Sequence, residues 1–179
     1  MNRRLLEQFS VFCALVGLGV TVRLLSETPN FSAVAATALF AGFYFRHRTT
    51  AICVPLAIMT VSDYFLGGYA RPMMVAVYGS LLMPIAWRSL LRTELTPARV
   101  GLGAISSSLA FFVLTNAAVW LMWYPPTWQS LVRCYIVALP FFANTLAGDA
   151  LFAAGIFGLY ALATRAGHAA TPVVASQAG

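Results

Sequence analysis

Across 179 residues the chain is 60% hydrophobic and only 9% charged, with a mean hydropathy of +0.81. A water-soluble domain carries roughly 25% charged residues, so this composition excludes an ordinary soluble fold and makes lipid the main solvent. The net charge of +6 comes from eleven Arg and no Lys, against three Glu and two Asp. These Arg lie between apolar blocks rather than along one stripe. They set membrane topology and do not form a nucleic-acid surface.

In chain order, "MNRRLLEQFSVFCALVGLGV" has the basic start and apolar core of a signal peptide. The following "TVRLLSETP" offers no small-x-small cleavage site, so the segment reads as a retained first helix. Six apolar blocks follow from the pattern, roughly Phe9–Leu25, Phe31–Phe45, Thr50–Tyr69, Pro72–Trp87, Val100–Trp123 and Pro140–Thr164. A helix needs about 20 residues to cross the hydrocarbon. The second block is therefore short, and it begins where Pro29 and Asn30 break the first helix. Open sheet is ruled out in lipid by its unpaired backbone groups, and the alternation of barrel strands is missing. The expectation is an all-α polytopic membrane protein. It has one domain over residues 1–165, six transmembrane helices and both termini cytoplasmic, with a disordered tail at 166–179, small and polar in composition.

The Arg distribution supports that orientation. Arg3, Arg4, Arg46, Arg48, Arg88, Arg92, Arg99 and Arg165 fall on one side, and Arg23, Arg71 and Arg133 on the other. This is the bias of the positive-inside rule.

Only two Asp occur, and both interrupt apolar runs: Asp63 in "VPLAIMTVSDYFLGG" and Asp149 in "LPFFANTLAGDALFAAG". At about 1.5 Å per helical residue, Asp63 lies roughly 9 Å below the outer end of its span, Asn116 about 10 Å, Asn144 about 6 Å and Asp149 about 14 Å. Four polar groups on three helices thus share the outer half of the membrane. A buried carboxylate costs about 2.5–3.5 kcal/mol at the bilayer centre, and such groups face a bundle interior or a wet cavity. Two readings stand side by side. In one, both Asp pair with Arg23, Arg71 or Arg133 and hold helices together. In the other, they line an outward cavity walled by Trp120, Trp123, Tyr124, Trp128 and Tyr135. On that second reading the connection "YPPTWQSLVRCYIVAL" folds over the cavity as a lid, with Arg133 near its mouth. Small residues (Gly17, Gly19, Ala35, Ala38, Ala41 and Gly42) mark a surface for close helix approach, within the bundle or against a partner helix.

Catalytic and metal chemistry find no foothold. Cys13, Cys53 and Cys134 are scattered, His47 and His168 lie in polar connections, and no metal-ligand cluster, Walker loop or nucleophile elbow is visible. The chain reads as a non-enzyme without a cofactor or an ATP site of its own.

The strings "NFSAVAATALFAGFYF", "VPLAIMTVSDYFLGG", "FFVLTNAAVW" and "YPPTWQSLVRCYIVALPFFANTLAGDALF" resemble an uncharacterised family of bacterial membrane proteins. That family is related to the substrate-binding S components of energy-coupling factor (ECF) vitamin transporters. The resemblance runs from Pro29 to Gly155, through Asp63, Asn116, Trp120, Pro140, Phe141, Asn144 and Asp149. It implies a six-helix S-component bundle in the bacterial cytoplasmic (inner) membrane, with an outward pocket for a small polar vitamin-like substrate. It also implies docking, through small residues of the first helix, onto a transmembrane T component driven by two ATPase subunits. One departure is visible: the Ala-x-x-x-Ala of that first helix is absent, since Ala14 is followed four positions later by Leu18. The residues expected to hold substrate are Asp63, Asn116, Trp120, Arg133, Asn144 and Asp149. The alternative function is a non-transporting membrane scaffold or assembly protein whose Asp residues are structural ion pairs.

Overall fold

In the computed structural model, which describes residues 3–169, the chain is helical throughout, with no strand among the described residues. Helix α1 (Arg3–Leu25) ends at the Ser26–Ala33 connection, where Asn30 adopts a left-handed φ of 61°. Next come α2 (Val34–Tyr44) and α3 (Arg48–Leu66), the latter stopped by Gly67 at φ 80°. Helix α4 (Arg71–Leu82) has Pro72 in its first turn and passes through a tighter 3-10 stretch (Met83–Trp87) into α5 (Arg88–Thr93). Pro84 explains the tightening, because it lacks the N–H that a continuing α-helix would use. Thr96 caps α6 (Pro97–Trp123) by accepting from the Arg99 amide at 3.3 Å. The last helix, α7 (Trp128–Ala169), runs 42 residues.

Five of these rods are long and apolar enough to cross a membrane: Arg3–Leu25, Arg48–Leu66, Arg71–Thr93, Pro97–Trp123 and Trp128–Ala166. Large apolar side chains such as Phe9, Phe65, Leu121, Leu151 and Leu159 are exposed on all sides of the bundle, a surface that only lipid covers without aggregation. These features mark a multi-pass membrane protein.

The second block is different in kind. At 11 residues, α2 is about 16 Å long, half the hydrocarbon thickness, and Val34 to Gly42 are all buried. It sits in the middle, against every other helix, while α1, α3, α4, α6 and α7 follow one another around it. Its Ala-rich sequence allows this. Ala35, Ala36, Ala38 and Ala41 are each at most 5% exposed. A Cβ on Gly42 would stand 3.2 Å from the Ile85 Cα. Of the small residues, the α2 set and Gly19, which abuts Ile58, serve packing inside the bundle, whereas Gly17 faces outward.

Chain direction follows from contacts. Tyr44 at the end of α2 donates to Glu7 at the start of α1 (3.0 Å). Phe40, Phe43 and Tyr44 cluster with Phe157 and Tyr160 of α7 at ring separations of 5.1–6.3 Å. The first turns of α1 and the late turns of α7 therefore lie at the same end of the bundle. Arg88 and Arg92 are there too, the first on the Arg46 carbonyl, the second on Phe43 (2.8 Å) and Phe45 (2.7 Å).

Two expectations are corrected. The segment Trp128–Leu139 is not a loop folded over a cavity but the first three turns of α7. It has no Gly or Pro before Pro140, so nothing stops the helix, and Pro140 is carried within it. At about 63 Å by its residue count, α7 exceeds any bilayer crossing and projects beyond it. Of the tail expected at 166–179, residues 166–169 continue α7, and the rest lies outside the described residues.

Arg92 closes the open carbonyls at the C-terminal end of α2, where positive charge also meets the helix dipole. Arg92→Ala is expected to destabilise the detergent-solubilised protein by about 1.5 kcal/mol, the low end for charged hydrogen bonds. Arg48→Ala, a neighbouring exposed arginine, should leave the melting temperature within about 0.5 kcal/mol of wild type. Equal losses for both variants would remove the capping role.

Candidate ligand-binding site

The two acids of the sequence meet different fates. Asp63, on α3 and 6% exposed, receives Arg23 of α1 at 2.8 Å on Oδ1 and the Tyr78 hydroxyl of α4 at 3.0 Å on Oδ2. Arg23 also contacts the Met59 sulfur. Three helices are tied by one carboxylate, and both of its oxygens are occupied. This is the ion-pair arrangement, with Arg23 as the partner out of Arg23, Arg71 and Arg133.

Asp149, on α7 and 2% exposed, has no arginine partner among the described residues. Its one hydrogen-bond donor there is the Ser108 hydroxyl of α6, 2.6 Å from Oδ2. Ser108 also lies 3.1 Å from the Ala104 carbonyl, but a hydroxyl has one proton, and the nearer oxygen takes it.

Asp149 borders a cavity of about 370 Å³, within the size of small-molecule sites. The cavity lies over the first turn of α2, at Val34 and Ala35. Met59, Val77, Leu81 and Phe111 wall it, and the 26–32 connection, Leu66, Tyr69 and Arg23 border it too. The connection is held in place by α7. Asn144 donates to the Pro29 carbonyl at 3.0 Å, and Phe31 packs on Phe152 with centroids 5.7 Å apart. A Cβ on Gly148 would stand 3.1 Å from both Ser32 N and Ser32 O, so a larger residue there would push the connection's backbone away from the helix.

The six expected site residues therefore separate. Asp149 lines the cavity, Asp63 acts on its border through Arg23, and Asn144 fixes the connection that closes one side. Asn116 instead donates to Phe112 of its own helix at 2.8 Å. Trp120 donates to Ser130 at 2.9 Å across the tip of the α6–α7 hairpin, and Arg133 is exposed on that hairpin away from the cavity. The expected aromatic wall is corrected as well. Trp123 and Trp128 are 58% and 78% exposed, and the cavity's rings are Phe31, Tyr69 and Phe111. Sequence reasoning passed over Ser108, Glu27 and Tyr78. Ser108 had a signal, the run Ser106–Ser107–Ser108 inside an apolar helix, and Glu27 sits in the turn "SETPN".

A second hollow, about 450 Å³, opens at the basic end between Arg48, Arg88 and Arg92. No group of three His, Cys, Asp or Glu among the described residues is placed to hold a metal ion.

Removing one partner of a buried ion pair leaves the other charge stranded. Asp63→Asn is expected to cost stability near the lower end of about 3–5 kcal/mol, because Arg23 keeps 17% exposure. Arg23→Met in the same chain should restore part of the loss. Wild-type melting for the single variant would show that the pair carries no weight.

A search of curated proteins found no match, and a search of solved structures found none either. Comparison with protein families matches residues 3–171, nearly the whole chain. The chain belongs to the family described as "Family of unknown function (DUF6580)".

Proposed function

We propose that the protein is an integral membrane substrate-binding subunit of the S-component type, which captures a small polar, vitamin-like compound in the cavity over α2. The observation that carries this is Asp149, a buried acid that borders a cavity and lacks the basic partner that Asp63 has. An ionisable group inside a membrane protein marks a functional site by default, and here the structural alternative has been assigned to the other acid.

In this proposal the chain crosses the bacterial cytoplasmic membrane six times with both termini inside. Support comes from direction. Helices α1 and α3 both run from the basic end toward the Arg23–Asp63 pair, so the chain must return between them, and α2 with its flanking residues makes that return. Arg46, Arg48, Arg88 and Arg92 gather at the end assigned to the cytoplasm, as the positive-inside rule requires. With no ATP site of its own, uptake needs a T component and two ATPase subunits. The exposed face of α1 offers Ser10, Cys13, Ala14 and Gly17 at helical spacing, small side chains that let another helix approach closely.

The scaffold reading keeps one observation in its favour, the Arg23–Asp63–Tyr78 link, which needs no ligand. Binding of a small molecule at the cavity separates the two functions.

Topology is tested by thiol labelling in intact cells, after replacement of Cys13, Cys53 and Cys134. A cysteine introduced near Pro126 should react with an impermeant reagent, and one near Arg92 should stay protected. Labelling near Arg92 from outside ends the six-crossing proposal. For partners, purification from the native membrane should bring down a polytopic T component with ATPases. Substituting Gly17→Leu on the exposed face of α1 should release them while leaving the melting temperature unchanged. Substrate uptake into vesicles of the purified chain alone would replace the ATP-driven reading with an autonomous carrier.

A further inference from the structure

We propose that the ligand of this cavity is a cation, a compact ammonium or protonated nitrogen heterocycle held against Asp149, with an apolar or aromatic body. This rests on the reading of the cavity as a ligand site and adds the charge class of what it takes.

The charged groups around the space decide the charge of what it can hold. Three side chains of the lining belong to residue types that carry charge near neutral pH: Arg23, Glu27 and Asp149. Arg23 is already answered by Asp63 at 2.8 Å. Neither Glu27 nor Asp149 has an ion-pair partner among the described residues. The cavity therefore presents two acids and no available base. An anionic ligand would have to draw Arg23 away from Asp63 while facing both carboxyls. A cation meets no such cost and supplies what the site lacks, because a buried acid gains most from a partner that is both charged and hydrogen-bonding.

Position sharpens the choice. One Asp149 oxygen, Oδ2, takes the Ser108 hydroxyl, which fixes the carboxyl plane. The other, Oδ1, has no donor among the described residues, and it is not among the enclosed polar atoms left without a partner. It is the acceptor offered to the cavity. The same cavity is lined by Phe31, Phe111, Met59 and Leu81, and aromatic faces attract cations as well as apolar bodies. Glu27 is exposed on the connection at the border. It adds a second negative charge along the approach, where it raises the local concentration of cations. One feature points the other way. The N-terminal turn of α2 borders the space, and helix N-termini favour anions. The probe experiment weighs it directly.

Benzylammonium, benzyl alcohol and benzoate share one ring and differ in charge, and each fits well within the cavity. Binding of each to the detergent-purified full chain is measured by calorimetry and by thermal shift. The variants are Asp149→Asn, Glu27→Gln and Gly148→Leu, the last of which crowds the backbone of Ser32. Benzylammonium should bind at least tenfold more tightly than benzyl alcohol, and benzoate should not bind. Asp149→Asn should erase that preference, and Glu27→Gln should weaken benzylammonium severalfold. Gly148→Leu should weaken every probe. Since Glu27 is exposed, its variant carries the test even if Asp149→Asn does not fold. Benzoate or benzyl alcohol binding as well as benzylammonium, with Gly148→Leu abolishing it, overturns the cation proposal and leaves the cavity as a ligand site. No binding by any probe, or binding indifferent to Gly148→Leu, overturns both.

Discussion

The burial of α2 is the constraint on which the rest of the bundle depends. A helix surrounded on every side can meet its neighbours only through small side chains, and α2 supplies Ala35, Ala36, Ala38, Ala41 and Gly42. Without a hydrophobic driving force between helices in lipid, close packing and satisfied polar groups must hold them together. Both are present here. Gly103 of α6 brings its backbone against Leu39 of α2, and Ile85 lies against Gly42. At its C-terminal end, α2 receives three carbonyl contacts from Arg92. Neighbouring outer helices pack directly, α1 on α3, α4 on α6 and α6 on α7, but α7 makes no helix-to-helix contact with α1, α3 or α4. Helix α2 is the element that touches every one of them, and it links those that do not meet directly.

The cavity follows from the length of that same helix. At 11 residues, α2 fills the middle of the bundle over only about 16 Å, while α6 beside it has 27 residues. Beyond Val34 there is no central rod. The space is shared between the 26–32 connection, which leans on Asn144, Gly148 and Phe152 of α7, and the cavity itself. A full-length central helix would have packed this space with side chains. Its shortness leaves Asp149 facing a void instead of a neighbour.

The elements legible in the sequence were those whose signal is local. The first block ends at Leu25, just before Pro29 and Asn30, and the fourth begins at Pro72, close to where α1 ends and α4 begins, whereas the third ran on to Tyr69 past Gly67, where α3 stops. Two acids within apolar runs were visible as anomalies, and both prove buried. What failed was the step from depth to proximity. Counting residues along an axis gives height but not angle, and each residue turns the helix by about 100°. Asn116 and Asp149 were placed at similar height, yet Asn116 bonds its own backbone while Asp149 faces the cavity. The segment Trp128–Leu139 was misjudged because a span was assumed to end where a bilayer ends. Helix propensity does not know the bilayer thickness, and with no breaker before Pro140 the helix continued.

The contrast between the two acids also divides the bundle. Asp63 joins α1, α3 and α4 through Arg23 and Tyr78. Asp149 and Ser108 join α6 to α7. The first group meets the second through the α4–α6 packing, through α2 and through the connection clamped on α7. The cavity lies at that junction, with Arg23 and Met59 from one group and Phe111 and Asp149 from the other. A molecule filling it touches both groups at once. The fold thus places the acid that lacks a basic partner where occupancy adds a contact between two parts otherwise joined by α4–α6 packing, α2 and the clamped connection.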